Sequence, residues 1–164
     1  MRAIVMPVVT FLLAAATLPA AAEDHGIRGW GPRVGLASDP DQVLLGVHLD
    51  AGRLGPRVRF QPDVELGVGD DVFVLAFTAP VHYRFRVQGD VHPYAGGGVT
   101  IGFVDVDHDH DDEFDHDHDD DVEAAIDITG GLEWALDGDD LFFVEFSILA
   151  GDLHDFQLVA GWTF

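Results

Sequence analysis

The chain has 164 residues, no cysteine, and 30 acidic against 8 basic side chains, for a formal net charge of −22. The length suits one domain, and the missing cysteines remove disulfides and thiolate chemistry from consideration. The acidic excess speaks against nucleic acid as a partner, because a phosphate backbone would be repelled.

Residues 1–22 read as a secretory signal, with Arg2 as a positive start, a largely apolar run from Ile4 to Leu18, and Ala20, Ala21 and Ala22 as a cleavage site. Residues 23–164 then form the folded domain. No later apolar run is long enough for a spanning helix, so entry into a membrane requires a closed barrel whose strands satisfy one another.

After a leader from Glu23 to Pro32, a first strand is predicted over Arg33 to Ala37, and Ser38-Asp39-Pro40-Asp41 turns it. The second strand, Gln42 to Asp50, alternates Val43, Leu45, Val47 and Leu49 against Leu44, Gly46, His48 and Asp50, and Ala51 to Pro56 is a compact connection. In the third, Arg57 to Gly67, the apolar face carries Val58, Phe60, Val64 and Leu66, while Arg57, Arg59, Gln61, Asp63 and Glu65 share the other. Pro62 removes a ladder donor and predicts a bulge or a widened pair.

The fourth strand, Val72 to Val87, sets Phe73, Leu75, Phe77, Ala79, Val81, Tyr83, Phe85 and Val87 against Thr78, His82, Arg84 and Arg86. Pro80 predicts a kink, and a break there would change the strand count. Tyr94 to Val104 alternates Ala95, Val99, Ile101 and Phe103 with Tyr94, Gly96, Gly98, Thr100 and Gly102. Those glycines lack the lysine and strand-to-helix context of a phosphate loop. They suit a small barrel that must curve or admit side chains from the opposite wall.

Val122 to Leu132, Leu141 to Ala150 and Asp155 to Phe164 complete the pattern, with Asp137-Gly138-Asp139 as a turn. In the last strand Phe156, Leu158, Ala160, Trp162 and Phe164 share one face and Gln157, Val159, Gly161 and Thr163 the other, a period of two that a helix does not satisfy. The count is eight antiparallel strands, an all-β, up-and-down transmembrane β-barrel.

The aromatic end, the exported start and the strand count together resemble the small bacterial outer-membrane β-barrels of the OmpA-like and OmpW-like superfamily. The resemblance implies a place in the outer membrane of a Gram-negative bacterium. It implies lipid and the barrel-insertion machinery as partners, with Ala160, Trp162 and Phe164 as the insertion signature. It also implies a polar lumen, in which Arg57, Arg59, Asp63, Glu65, Arg84, Arg86 and Glu145 would form a network. No strand signal assigns an interface, so a monomer is expected, with a dimer as the alternative.

Residues 105–121 form an acidic, histidine-rich loop. Asp107, His108, Asp109, His110, His116, Asp117, His118 and Asp119 supply imidazoles for Zn, Ni or Cu and carboxylates for Ca, which points to weak or multiple binding of divalent cations. An EF-hand is excluded because His110 stands where the loop needs glycine. The same composition also describes a hydrated, self-repelling loop without a ligand.

His48, His82, Asp50, Glu145, Ser147 and Thr129 supply groups for a hydrolase, but no spacing sets a nucleophile beside a base. The expectation is a non-enzymatic barrel that needs no cofactor and has a structural or surface-interaction role. The alternatives are a soluble exported barrel that binds a metal or small ligand, and a narrow small-solute channel.

Overall fold

The computed structural model describes residues 24–69, 72–106, 121–136, 138–151, 153 and 155–164. The predicted signal and the metal-ligand candidates of residues 107–119 lie outside these. Ten strands run in chain order: β1 Asp24–Ser38, β2 Gln42–Gly55, β3 Val58–Phe60, β4 Asp63–Gly69, β5 Val72–Thr78, β6 Val81–Arg84, β7 Val91–Val106, β8 Asp121–Ala135, β9 Leu141–Ala150 and β10 Phe156–Thr163. All pairings are antiparallel: β2 pairs with β1, β3 and β4, β3 with β6, β4 with β5, β7 with β5, β6 and β8, β9 with β8 and β10, and β1 also with β10, from Arg33↔Gly161 to Ser38↔Phe156. This last pairing closes the sheet and leaves no long free edge, as spanning strands require.

The ten segments make a ring of eight. Pro62 separates β3 from β4, and Pro80 separates β5 from β6, in neighbouring strands at the same level. Neither proline can donate, yet the ladder continues across the gap: Gln61 N–H donates to Pro80 O at 3.3 Å, Leu49 N–H to Pro62 O at 2.9 Å and Ala79 N–H to Val99 O at 3.0 Å. Each proline therefore interrupts a strand without changing the direction of the wall.

Several predicted boundaries are corrected. The stretch read as a leader from Glu23 to Pro32 is strand from Asp24 onward, paired with β2 from Asp24↔Arg53 and carrying one register shift between His25 and Gly29. The stretch read as a connection from Ala51 to Pro56 is mostly strand, since β2 runs to Gly55. β7 likewise starts at Val91, and the predicted fourth strand ends at Arg84 rather than Val87. Where a strand is longer than predicted, its partner supplies hydrogen bonds that local glycine and proline content conceals.

Alternation along the strands decides inside from outside. Leu36, Leu45, Ile126, Ile128, Ile148 and Leu158 project outward and are exposed, while Leu44, Val74, Phe143, Leu149 and Val159 project inward and are buried. An exposed apolar surface that encircles the sheet is what a hydrocarbon solvent demands of a barrel. Aromatic rings gather toward both rims. Trp134, Phe142 and Trp162 form a chain with centroids 5.6 and 5.1 Å apart, and Tyr83 packs on Phe85 at 5.2 Å, on the side of the chain ends. Phe146 stacks on Phe156 at 6.1 Å toward the other rim.

Candidate functional site

The inward parity of β1, β4 and β9 places one arginine among three carboxylates. Arg33 Nη1 lies 2.9 Å from Asp63 Oδ2, its Nε 2.7 Å from Glu65 Oε1 and its Nη2 3.1 Å from Glu145 Oε1. The Nη2 contact is an aligned hydrogen bond, whereas the Nε contact is an ion pair by proximity. Tyr94 OH donates to Glu145 Oε2 at 2.9 Å, and Gln157 Nε2 donates to Glu65 Oε2. Arg33 is 6% exposed, so its charge is tolerable only because the carboxylates surround it.

A second node lies toward the chain ends. Glu133 is 1% exposed, with Arg59 Nη1 2.7 Å from its Oε2 and Arg84 Nη2 2.6 Å from its Oε1. Asp50 Oδ2 is 3.9 Å from Arg59 Nη1. The Tyr94 ring joins the two nodes: the Arg59 guanidinium carbon is 6.0 Å from its centroid, within cation–π range, and His82 packs against it at 5.0 Å. His48 shares a 2.8 Å hydrogen bond with Thr163 Oγ1.

The glycines of the inner face make room for these large groups. A Cβ on Gly131 would meet the Tyr94 ring, one on Gly161 the Phe143 ring, and one on Gly46 both the Val64 carbonyl at 2.5 Å and the Glu65 Cγ at 2.8 Å. Toward the other end the lumen turns apolar. Leu153, from the β9–β10 connection, is buried among Val74, Ala76, Ala125 and Leu149, over Gly102.

Of the residues expected in the lumen from sequence, the structure brings Asp63, Glu65 and Glu145 together around Arg33, and Arg59 and Arg84 together around Glu133. Arg57 and Arg86 stand apart, exposed at the mouth. Arg57 sits in the turn before β3, where its guanidinium donates to Tyr83 OH at 3.1 Å, and Arg86 lies beyond the end of β6. Arg33, Tyr94 and Glu133 escaped the sequence reading. Each lies on the polar parity of its strand, the signal that would have found them, but parity names no partner on another strand.

The two hydroxyls weighed for hydrolysis, Ser147 and Thr129, meet each other and a carboxylate and not an imidazole. Ser147 Oγ contacts Thr129 Oγ1, and the Thr129 hydroxyl lies 2.9 Å from Asp127 Oδ1. Among the described residues, no group of three or more histidine and acidic side chains is arranged to hold a metal ion. Ala160, Trp162 and Phe164 lie on the outer face of the closing strand, with Trp162 39% and Phe164 56% exposed.

No family model matches the chain, and no curated protein does. Solved structures do. The crystal structure of the N-terminal β-barrel domain of Pseudomonas aeruginosa OprF is similar with a TM-score of 0.67 at 12% identity, over 87% of this chain and 98% of that one. Neisserial surface protein A is similar with a TM-score of 0.59 at 15% identity, over 82% and 92%. A de novo designed transmembrane β-barrel matches with a TM-score of 0.51 at 11% identity, over 86% and 98%. With its ring of eight strands, apolar exterior and charged interior, the chain has the fold of the small outer-membrane β-barrels.

Proposed function

We propose that the protein is a non-enzymatic β-barrel of the Gram-negative outer membrane with a structural or surface-interaction role, its chain ends in the periplasm and residues 105–121 outside the cell. The observation that carries this reading is the contrast between the faces of the wall. Outward positions such as Ile126 and Ile128 are 61% and 63% exposed although apolar, while the interior holds Arg33, Arg59, Glu65, Glu133 and Glu145 in paired contacts. A soluble barrel would put its charge on the outside. The filled interior also favours a plug over a channel, because eight-stranded barrels are narrow enough for side chains to occupy them.

The acidic stretch between β7 and β8 adds a surface role. His-x-His pairs amid carboxylates would hold divalent cations weakly, and through them bridge to other anionic surfaces. Lipid and the insertion machinery are the partners this reading needs, and it needs no cofactor.

Cell fractionation followed by protease shaving of intact cells tests the placement. Recovery in the outer membrane with cuts confined to residues 105–121 is expected, and recovery in the soluble periplasm would sink it. Zn and Ca titration of the folded protein tests the cation role. Binding that is unchanged after removal of residues 107–120 would dismiss it.

A further inference from the structure

The mouth on the side of the chain ends differs in charge from the rest of the molecule. A cavity of about 800 Å³ opens there, lined by Arg28, Arg53, Arg57, Arg59, Arg84 and Arg86. These are six of the chain's 8 basic residues, gathered at one end of a protein with a net charge of −22. The acidic residues that share the lining are Asp50, Asp139 and Asp140. Glu133 lies beneath and engages Arg59 and Arg84. Arg59 and Arg84 are already engaged by Glu133, whereas Arg53, Arg57 and Arg86 have no ion pair to a described carboxylate.

Arg57 is held by the Tyr83 hydroxyl, a neutral partner that leaves its charge uncompensated. Arg53 and Arg86 have no ion pair or hydrogen bond to another described side chain. They approach the cavity from different parts of the rim, one from β2 and one from beyond β6. Apolar neighbours on the same wall, Val58, Phe85 and Val87, keep the field within the concavity instead of dispersing it in water.

We propose that this mouth binds an oligophosphate, a ligand with at least two phosphate groups, either soluble or in a lipid headgroup. A terminal phosphate carries about −1.5 to −2 charges at neutral pH and offers three acceptor oxygens, enough for two guanidinium forks, while an internal or diester phosphate carries about −1 and pairs with one fork. Carboxylates carry a single charge each and would leave much of this array unmatched. Two or more phosphates are needed because the arginines are spread around the rim. The ligand stays at the mouth, because the Arg33 node fills the lumen behind it. The acidic stretch of the same chain is no competitor, since the strands that flank it, β7 and β8, end at the opposite rim.

The test titrates the full chain, folded in zwitterionic detergent micelles at low salt, with tripolyphosphate in a calorimeter. Saturable binding that weakens as salt is added is expected. The double variant Arg53→Gln/Arg86→Gln should lose about tenfold or more in affinity, the loss that follows removal of charge-assisted hydrogen bonds. Both side chains lie outside the buried network, so the variant keeps the barrel, which heat-modifiable gel mobility verifies. No saturable binding, or equal affinity in the variant, overturns the proposal. Citrate binding as tight as tripolyphosphate overturns the phosphate assignment. Nanodiscs with cardiolipin, whose headgroup carries two phosphates, separate the sources: competition by that lipid supports a headgroup ligand, and undiminished tripolyphosphate binding supports a soluble one.

Discussion

Arg33 and Glu145 meet at 3.1 Å across 112 residues of chain, one from the closing strand β1 and the other from β9. Between these strands lies β10, so the pair spans the lumen wall two strands apart. It forms only when the barrel has closed, and it therefore ties the charge pattern to the topology.

Removal of the Arg33 charge should be among the most damaging single changes. Arg33→Met leaves Asp63, Glu65 and Glu145 buried without their shared cation. The expected cost is about 3–5 kcal/mol, the range for breaking a buried ion pair from one side. Urea unfolding in lipid vesicles measures it. Adding Asp63→Asn and Glu65→Gln to Arg33→Met should restore a large part of the loss, and a single variant as stable as the parent would contradict the assignment of this node.

Gly130 and Gly131 are adjacent in β8 and face opposite ways. A Cβ on Gly131 collides with the Tyr94 ring, whereas a Cβ on Gly130 meets nothing within 4 Å. Gly131→Ala is expected to destabilise by about 1–3 kcal/mol through overpacking. Gly130→Ala should stay within about 0.5 kcal/mol of the parent, as ordinary surface changes do. Equal effects of the two substitutions in the same unfolding assay would refute the assigned register.

Leu153 and Gly102 form a complementary pair at the apolar end of the lumen, Leu153 being 2% exposed. Leu153→Ala should cost about 2–5 kcal/mol by leaving a cavity. Gly102→Ala alone pushes against the leucine side chain. In the double variant the added methyl occupies part of the vacated space, so the two losses should be less than additive. Strict additivity in a double-mutant cycle would show that the two residues do not touch.

Trp30 and Phe164 exchange backbone hydrogen bonds of 3.2 and 2.9 Å at the seam. Deletion of Phe164 removes both the seam bonds and the outward ring, whereas Phe164→Ala removes the ring alone. If the aromatic end is an insertion signature, Phe164→Ala already lowers the fraction recovered in the outer membrane. A loss seen only with the deletion would assign the residue to closure of the seam.

Much of the wall was legible from the chain, because a lipid exterior and a packed interior impose opposite demands on alternate residues. Phe156 to Phe164 illustrates this: Phe156, Leu158, Trp162 and Phe164 on one parity are exposed on the outer face, and Gln157, Val159, Gly161 and Thr163 on the other are buried. The residues from Asp24 to Pro32 were not legible, since Gly26, Gly29, Gly31 and Pro32 are poor strand formers in isolation. Their strand exists because β2 offers backbone partners on both sides of one register shift, Asp24↔Arg53 and His25↔Gly52 before it and Gly29↔Asp50 onward after it.

Alternating polarity and the turn residues pointed by themselves to eight strands and to which face of each is polar, because they are local properties repeated every second residue, while Pro62 and Pro80 left the count open until their neighbours in the wall were placed. Who meets whom inside was decided only by tertiary structure. Arg33 finds Glu145, and Glu133 draws in Arg59 and Arg84, through the stagger of closed strands. The gathering of six arginines at one mouth follows from strand pairing, which sets the ends of β1, β2, β3 and β6 side by side at a single rim. Ring closure is a long-range constraint, and no local pattern encodes it.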